Sequence, residues 1–426
     1  VYQYLNAGTT SSEAVGGWGT GAWSGNFGWS TSPNGTVTLP LRLWSMDLWG
    51  TEVVAVPNAG KLYLWQPQNG LGTRMVVVTA APSVNQIVRV ASEARHIVLY
   101  GTHDVGGTYD PLLIRWCSQE DYTDWVPTNI NTSGDYRLNS RGSEILSVIK
   151  MADRRAILTD SDLFIETYIG PPDIFGYVRA GEKCGVIARN AAIEYGGVLY
   201  WLSTGGQFYK YDGRISPLPC TVLRYVFEGI DIQQKDKIVA GCNAQFDELF
   251  WFYTSLDSPD GENDRYVIYN VVEQHWSIGS LKRTAWHDRD TFGHPLGAGG
   301  TGQGLFYHEV GYSDDGSPMI AYCESAYFDM RDGDVIMFAN KFSPDFSDIA
   351  NNNPFQGSIN VTLKARKYPG GTVTVKGPYR CGGGPQRIST RLRGREFAVR
   401  FDSRTIDNKP WRLGTFRMGI EEDGKR

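Results

Sequence analysis

AIEYGGVLYWLSTGGQFYKYDG, residues 192–213, is the stretch whose reading decides the fold. Runs of Ile, Val, Leu, Trp, Phe and Tyr are cut by Gly196-Gly197 and Gly205-Gly206. β-Branched and aromatic side chains fit the pleated strand, and paired glycines punctuate tight turns, so the stretch predicts a meander of short strands. The same texture recurs on both sides of it. Upstream lie WGTEVVAVPNAGKLYLWQP at 49–67, ARHIVLYGTHDVGGTYDPLLIRWCSQED at 94–121 and DRRAILTDSDLFIETYIG at 153–170. Downstream come KIVAGCNAQFDELFWFYTSLDSPDGENDRYVIYNVVEQHW at 237–276 and TAWHDRDTFGHPLGAGGTGQGLFYHEVG at 284–311. Leu62 and Leu64 alternate with Tyr63 and Trp65, the period of a strand and not of a helix.

Six such units, each too small to bury both faces alone, are the expected signature of propeller blades. The expectation is an all-β chain, with a six-bladed β-propeller over residues 37–316. Past 317, MIAYCESAYFDM, DVIMFANKF, SINVTLKARKY, GTVTVKGPY, REFAVRFDS and WRLGTFRMGI read as longer strands in hairpin order. They predict a β-sandwich-like region over 317–426. Only Thr221–Gly229 offers a helix, and a short one.

No apolar run approaches the length of a membrane span. The six cysteines (Cys117, Cys184, Cys220, Cys242, Cys323, Cys381) form no C-x-x-C pair and read as free thiols of a reducing cytoplasm. Charge is unevenly placed. Of the net −5, residues 361–426 carry 16 Lys and Arg against 6 Asp and Glu, or +10, which leaves −15 on residues 1–360. An acidic body and a basic interaction segment are expected. Residues 1–36 are rich in Gly and Ser yet hold Trp18, Trp23, Phe27 and Trp29. A free linker gains nothing from large aromatics, so this segment is expected to dock on a surface.

Catalytic chemistry has little purchase in the sequence. The six histidines (His96, His103, His275, His287, His294, His308) form no i, i+4 pair, and no metal site or cofactor is expected. GAGGTG at 297–302 fits the letters of a dinucleotide loop but leads into a strand, where the helix start that binds pyrophosphate is required. No G-x-S-x-G elbow occurs. The alternative function is a propeller-type carbohydrate-active enzyme, for which Asp160 with Glu166, or Asp247 with Glu248, would supply the carboxylates. A carbohydrate-binding protein stacking sugars on Trp18, Trp23 and Trp29 is the other alternative. DSPDGEND at 257–264 clusters four carboxylates, but its spacing misses the EF-hand pattern and reads as a solvated hairpin.

The pieces LWSMDLWGTEVVAVPNAGKLYLWQP, RHIVLYG with LIRWCSQEDYTDW, DLFIETYIGPPDIFG, VLYWLSTGGQFYKYDG with SPLPC, and DELFWFY with DRYVIYN follow one another along the chain. After them come KFSPDF, RLRGREFAVRF, WRLG and EEDGKR. In this order, over residues 40–426, the chain resembles the tail nozzle, or packaged-DNA-stabilising, proteins of short-tailed bacteriophages (podophages). The resemblance implies a structural protein of the virion tail, assembled in the host bacterial cytoplasm, and no enzyme. It implies a homo-oligomeric ring, a hexamer, below the portal and its adaptor protein. Tail fibre or spike proteins would dock around it, and viral double-stranded DNA would pass through its channel, lined by the acidic body. The Trp-rich opening has no counterpart in the family.

The basic stretch is the candidate interface. On a strand Arg391, Arg393 and Arg395 share one face while Leu392 and Gly394 take the other. Guanidiniums so crowded need solvent, carboxylates or phosphates. With Arg412 and Arg417, and with Trp18, Trp23 and Trp29, they are the expected contacts to a neighbouring subunit or the adaptor.

Overall fold

A computed structural model describes residue 41 and residues 43–426, apart from 290–292, 300–303, 312, 315–316, 319–320, 331–334, 349–357, 383–386, 404–410 and 426. The chain forms two compact units, Val1–Glu309 and Val310–Arg426. It is nearly all β.

In the first unit six antiparallel sheets follow one another in chain order. They span Trp44–Val77, Asn85–Arg137, Ile145–Gly181, Ala192–Leu218, Val239–Ser280 and Ala285–Tyr307. Each of the first five is a four-stranded meander, and the sixth has three strands among the described residues. Each repeat unit read from the sequence centres on one of these sheets. The local cause is plain in the fourth. Its first hairpin turns through Gly196 and Gly197, both at positive φ (61° and 82°), which lets Tyr195 pair directly with Val198.

The first strand of each sheet packs against the first strand of the next, from Trp44–Trp49 through to Ala285–His287. Inner strand against inner strand is the propeller-like arrangement, and it buries the interior sheets on both faces. Leu199, Tyr200, Trp201 and Leu202 are all buried, so the alternation of an amphipathic strand is lost there. Indole N–H groups fasten neighbouring sheets. Trp251 Nε1 of the fifth sheet donates to the Ala191 carbonyl beside the fourth (3.1 Å), and Trp286 Nε1 of the sixth donates to Cys242 O of the fifth (2.7 Å). Gly241 makes the latter contact possible, because a Cβ there would meet Trp286 Cδ1 at 2.4 Å.

The helix reading at 221–229 becomes the α-helix Leu223–Gly229, and a 3₁₀ segment, Ile232–Lys237, follows it. All six cysteines are free.

In the second unit a four-stranded antiparallel sheet (Tyr322–Glu324, Glu396–Ser403, Ser358–Arg366, Thr374–Gly382) and a three-stranded one (Ile388–Gly394, Val335–Ser343, Arg417–Lys425) share one core. Phe342, Leu392 and Met337 of the second meet Val361, Leu363, Phe397 and Phe401 of the first. No helix among the described residues is long and apolar enough to cross a membrane.

Candidate functional site

The hairpin of Arg154–Thr159 and Leu163–Gly170 sets Arg155 opposite Glu166. Arg155 donates to Glu166 Oε1 through Nη2 (2.7 Å) and Nε (3.0 Å), and Tyr100 of the second sheet donates its hydroxyl to Glu166 Oε2 (2.7 Å). Arg155 also reaches Glu93 (3.4 Å) and lies over the Phe175 ring at 5.1 Å. The two side chains are only 2% and 0% exposed. A charge pair survives such burial only when its hydrogen bonds are filled, as here. Burial alone would lower the Arg155 pKa, but Glu166 outweighs it and holds the guanidinium above its ordinary value. The group is a buried clamp between the second and third sheets.

This placement removes Asp160 with Glu166 as a catalytic pair. Glu166 is occupied by Arg155 and Tyr100, while Asp160 accepts from Ser143 N (2.8 Å) and Ser143 Oγ (2.7 Å). Asp247 sits in a turn at φ 56° and accepts from Tyr195 Oη (2.6 Å), whereas Glu248 opens the next strand. The four carboxylates of 257–264 are each engaged within the protein. Asp257 meets Arg265 (2.8 Å), Asp260 meets Lys282 (2.6 Å), Glu262 meets Lys237 (3.1 Å), and Asp264 accepts from Ser255 N and Oγ (both 2.7 Å). Among the described residues no cluster of His, Cys, Asp and Glu could hold a metal ion.

A second group gathers where the chain enters the inner strands. Arg89 bridges three sheets, donating to Val148 O (2.9 Å) and Ser45 Oγ (2.8 Å). Near it, Glu144 precedes the third inner strand, Arg189 the fourth, and Lys235 with Asp236 the fifth. These groups shift one another's proton affinity. Burial, helped by Arg89, lowers the Arg189 guanidinium to about 10 against the pull of Asp236 and Glu144. Burial, then Asp160, raises Glu144.

The predicted arginine face is split. Arg391 and Arg393 are exposed on the strand Ile388–Gly394, with Leu392 and Gly394 buried behind them. Arg395 departs from the reading. It lies beyond the strand's end and is half-buried, and its Nε is buried without a hydrogen-bond partner. Arg393 is already matched within the chain, by Asp423 Oδ2 (2.6 Å) and Asp423 O (2.9 Å). Arg412 and Arg417 are exposed on other strands. Trp18, Trp23 and Trp29 lie outside the described residues.

Sequence reasoning missed the Arg155–Glu166 clamp. Its signal was present in DRRAILTDSDLFIETY, where the two charges stand equidistant from the Asp160–Ser161 turn and therefore pair across the hairpin.

No family model and no curated protein matches this chain. Among solved structures it is similar to the computationally designed Ika8 protein, at 9% identity and a TM-score of 0.39 over 65% of this chain and 72% of that one. BamB from Moraxella catarrhalis matches at 13% identity and 0.36, covering 62% and 70%. An exo-β-1,3-galactanase from Phanerochaete chrysosporium matches at 10% identity and 0.30, covering 91% and 97%. At these scores the likenesses carry no functional argument.

Proposed function

We propose that this chain is a structural subunit of a short-tailed bacteriophage tail nozzle, assembled as a ring of six that retains packaged DNA and conducts it on ejection. The first unit is read as a six-bladed propeller and the second as a β-sandwich. One observation carries the assembly reading. The net −15 of residues 1–360 faces a net +10 on residues 361–426, so copies of one chain are complementary to each other. The state of the carboxylates supports the same side. Asp160, Glu166 and Asp247, three of the four candidate carboxylates, are tied up in internal hydrogen bonds, which suits a scaffold better than a general acid and base.

In this reading the portal-side adaptor and the tail fibres or spikes dock on the ring, and DNA passes along an acidic channel that does not hold its phosphates. Native mass spectrometry of the purified full chain at low salt tests it. A closed hexamer that dissociates as salt rises is the expected result. A monomer that persists with adaptor protein present would overturn the nozzle assignment.

A further inference from the structure

The first sheet has two faces of different fate. Toward the second sheet it presents Ser45, Asp47, Trp49, Val54, Val56 and Leu64. Ser45 Oγ donates to Val88 O (3.0 Å), Val90 N donates to Asp47 (2.7 Å), and the apolar members enter a core shared with Val88, Val90, Ile97 and Leu99. Strand pairing fixes the opposite face. Trp44, Met46 and Leu48 register with Pro57, Ala55 and Val53, and Ala55 and Val53 register in turn with Tyr63 and Trp65. All eight side chains are apolar or aromatic. Nothing among the described residues covers the first three, which are 47%, 59% and 61% exposed. Trp44 leans on Tyr63 with ring centroids 5.9 Å apart, so the face is ordered within itself.

An alternating row of Trp, Met and Leu on a four-stranded sheet is a patch that water does not favour. We propose that its occupant is the chain's own segment 1–36, which closes over this face through Trp18, Trp23, Phe27 and Trp29. Three arguments select that occupant. The segment joins the sheet directly, a few residues before Trp44, so docking is intramolecular and its effective concentration is high. Fully extended, the residues before 41 reach roughly 130 Å, several times the width of a four-stranded sheet, so length is no obstacle. Composition matches as well. Four large aromatics set in Gly and Ser supply contact area while the backbone between them stays free to follow the pleat. The proposal does not depend on the nozzle assignment and stands if that fails.

The experiment places a photo-crosslinker at the most exposed position of the row, Leu48→p-benzoylphenylalanine, in the full-length protein mixed with isotope-labelled copies. The expected adduct joins position 48 to residues 1–36 of the same molecule. An adduct to residues 285–307, to a second copy, or to no peptide at all would overturn the proposal. Oxidative footprinting of Met46 gives an independent reading with the sheet unaltered. Substituting Trp18→Ser, Trp23→Ser and Trp29→Ser together is expected to raise the Met46 oxidation rate at least fivefold while the protein stays folded by circular dichroism. An unchanged rate, whether slow or fast, would show that the segment does not cover the face.

Discussion

The junction between the second and third sheets and the junction between the fourth and fifth do the same mechanical task with opposite chemistry. At the first, Arg155, Glu166 and Tyr100 form a buried polar clamp with Glu93 at its exposed edge, and His96 lies beside it against Phe175 (5.6 Å between centroids). At the second, aromatics interlock. Phe208 meets Trp251 edge-on at 4.9 Å and Trp276 at 4.6 Å, and Tyr269 lies 4.8 Å from Trp276. An aromatic junction gains from area and tolerates a change of shape. A buried ion pair contributes little net stability, yet removing one member leaves a charge with no partner. The polar junction is therefore the brittle one, and it sets the register between its sheets more strictly.

The largest expected effect follows from that asymmetry. Glu166→Ala leaves buried Arg155 with only its longer contact to Glu93 (3.4 Å) and is expected to cost about 3–5 kcal/mol in urea unfolding. Replacing the whole group, Arg155→Met with Glu166→Leu and Tyr100→Phe, is expected to recover most of the loss, because no polar atom is then left unpaired. A triple variant as unstable as the single one would break the comparison. At the aromatic junction Trp251→Phe keeps a ring but leaves a void and removes one of two hydrogen bonds on the Ala191 carbonyl, which still accepts from Leu202 N (3.1 Å). Its expected cost is about 1–3 kcal/mol by the same measurement. A larger loss there than at Glu166 would reverse the ranking of the two junctions.

Acidity separates them next. Burial, with Arg155 adding to it, lowers His96 to about 4, although the Ala94 backbone and Glu93 pull the other way. An unfolded histidine titrates near 6.5, so between the two values only the unfolded chain takes up the proton. The stability held by neutral His96 is complete above pH 6.5 and is lost as pH falls toward 4, by at most about 1.4 kcal/mol per pH unit. Urea midpoints at pH 7.5 and 5.5 should converge in His96→Gln relative to the parent chain. Equal pH dependence in both proteins would show that the ring is not held neutral.

Much of this architecture is legible in the sequence because each sheet is local. Strand and turn residues alternate within a single unit, so the stretch 192–213 announces its own meander. What joins the sheets is less legible. Trp251 and Ala191, or Arg89 and Val148, meet only once the sheets stack, and no spacing in the chain announces those pairs. Arg395 was misread for a related reason. Period-2 counting holds only while the strand lasts, and the strand ends at Gly394. Asp423 was overlooked as the partner of Arg393 because the two strands they occupy lie on opposite sides of Val335–Ser343 in the sheet.

The smallest expected effect lies at that arginine strand, and it sharpens the contrast between buried and exposed charge. Arg393 and Asp423 are 56% and 47% exposed, so water screens their attraction. A double-mutant cycle with Arg393→Ala and Asp423→Ala is expected to give a coupling of about 0.2–1 kcal/mol that shrinks in high salt, against the several kcal/mol of the buried clamp. Assembly is a separate question with its own readout. Reversing Arg395 would disturb a half-buried side chain, so the informative variant is Arg391→Glu with Arg393→Glu alone. Because both side chains point to solvent, the unfolding midpoint should barely move. If this face contacts the acidic unit of a neighbour, the ring should be lost in native mass spectrometry; an intact ring at low salt would assign these arginines to solubility and not to assembly.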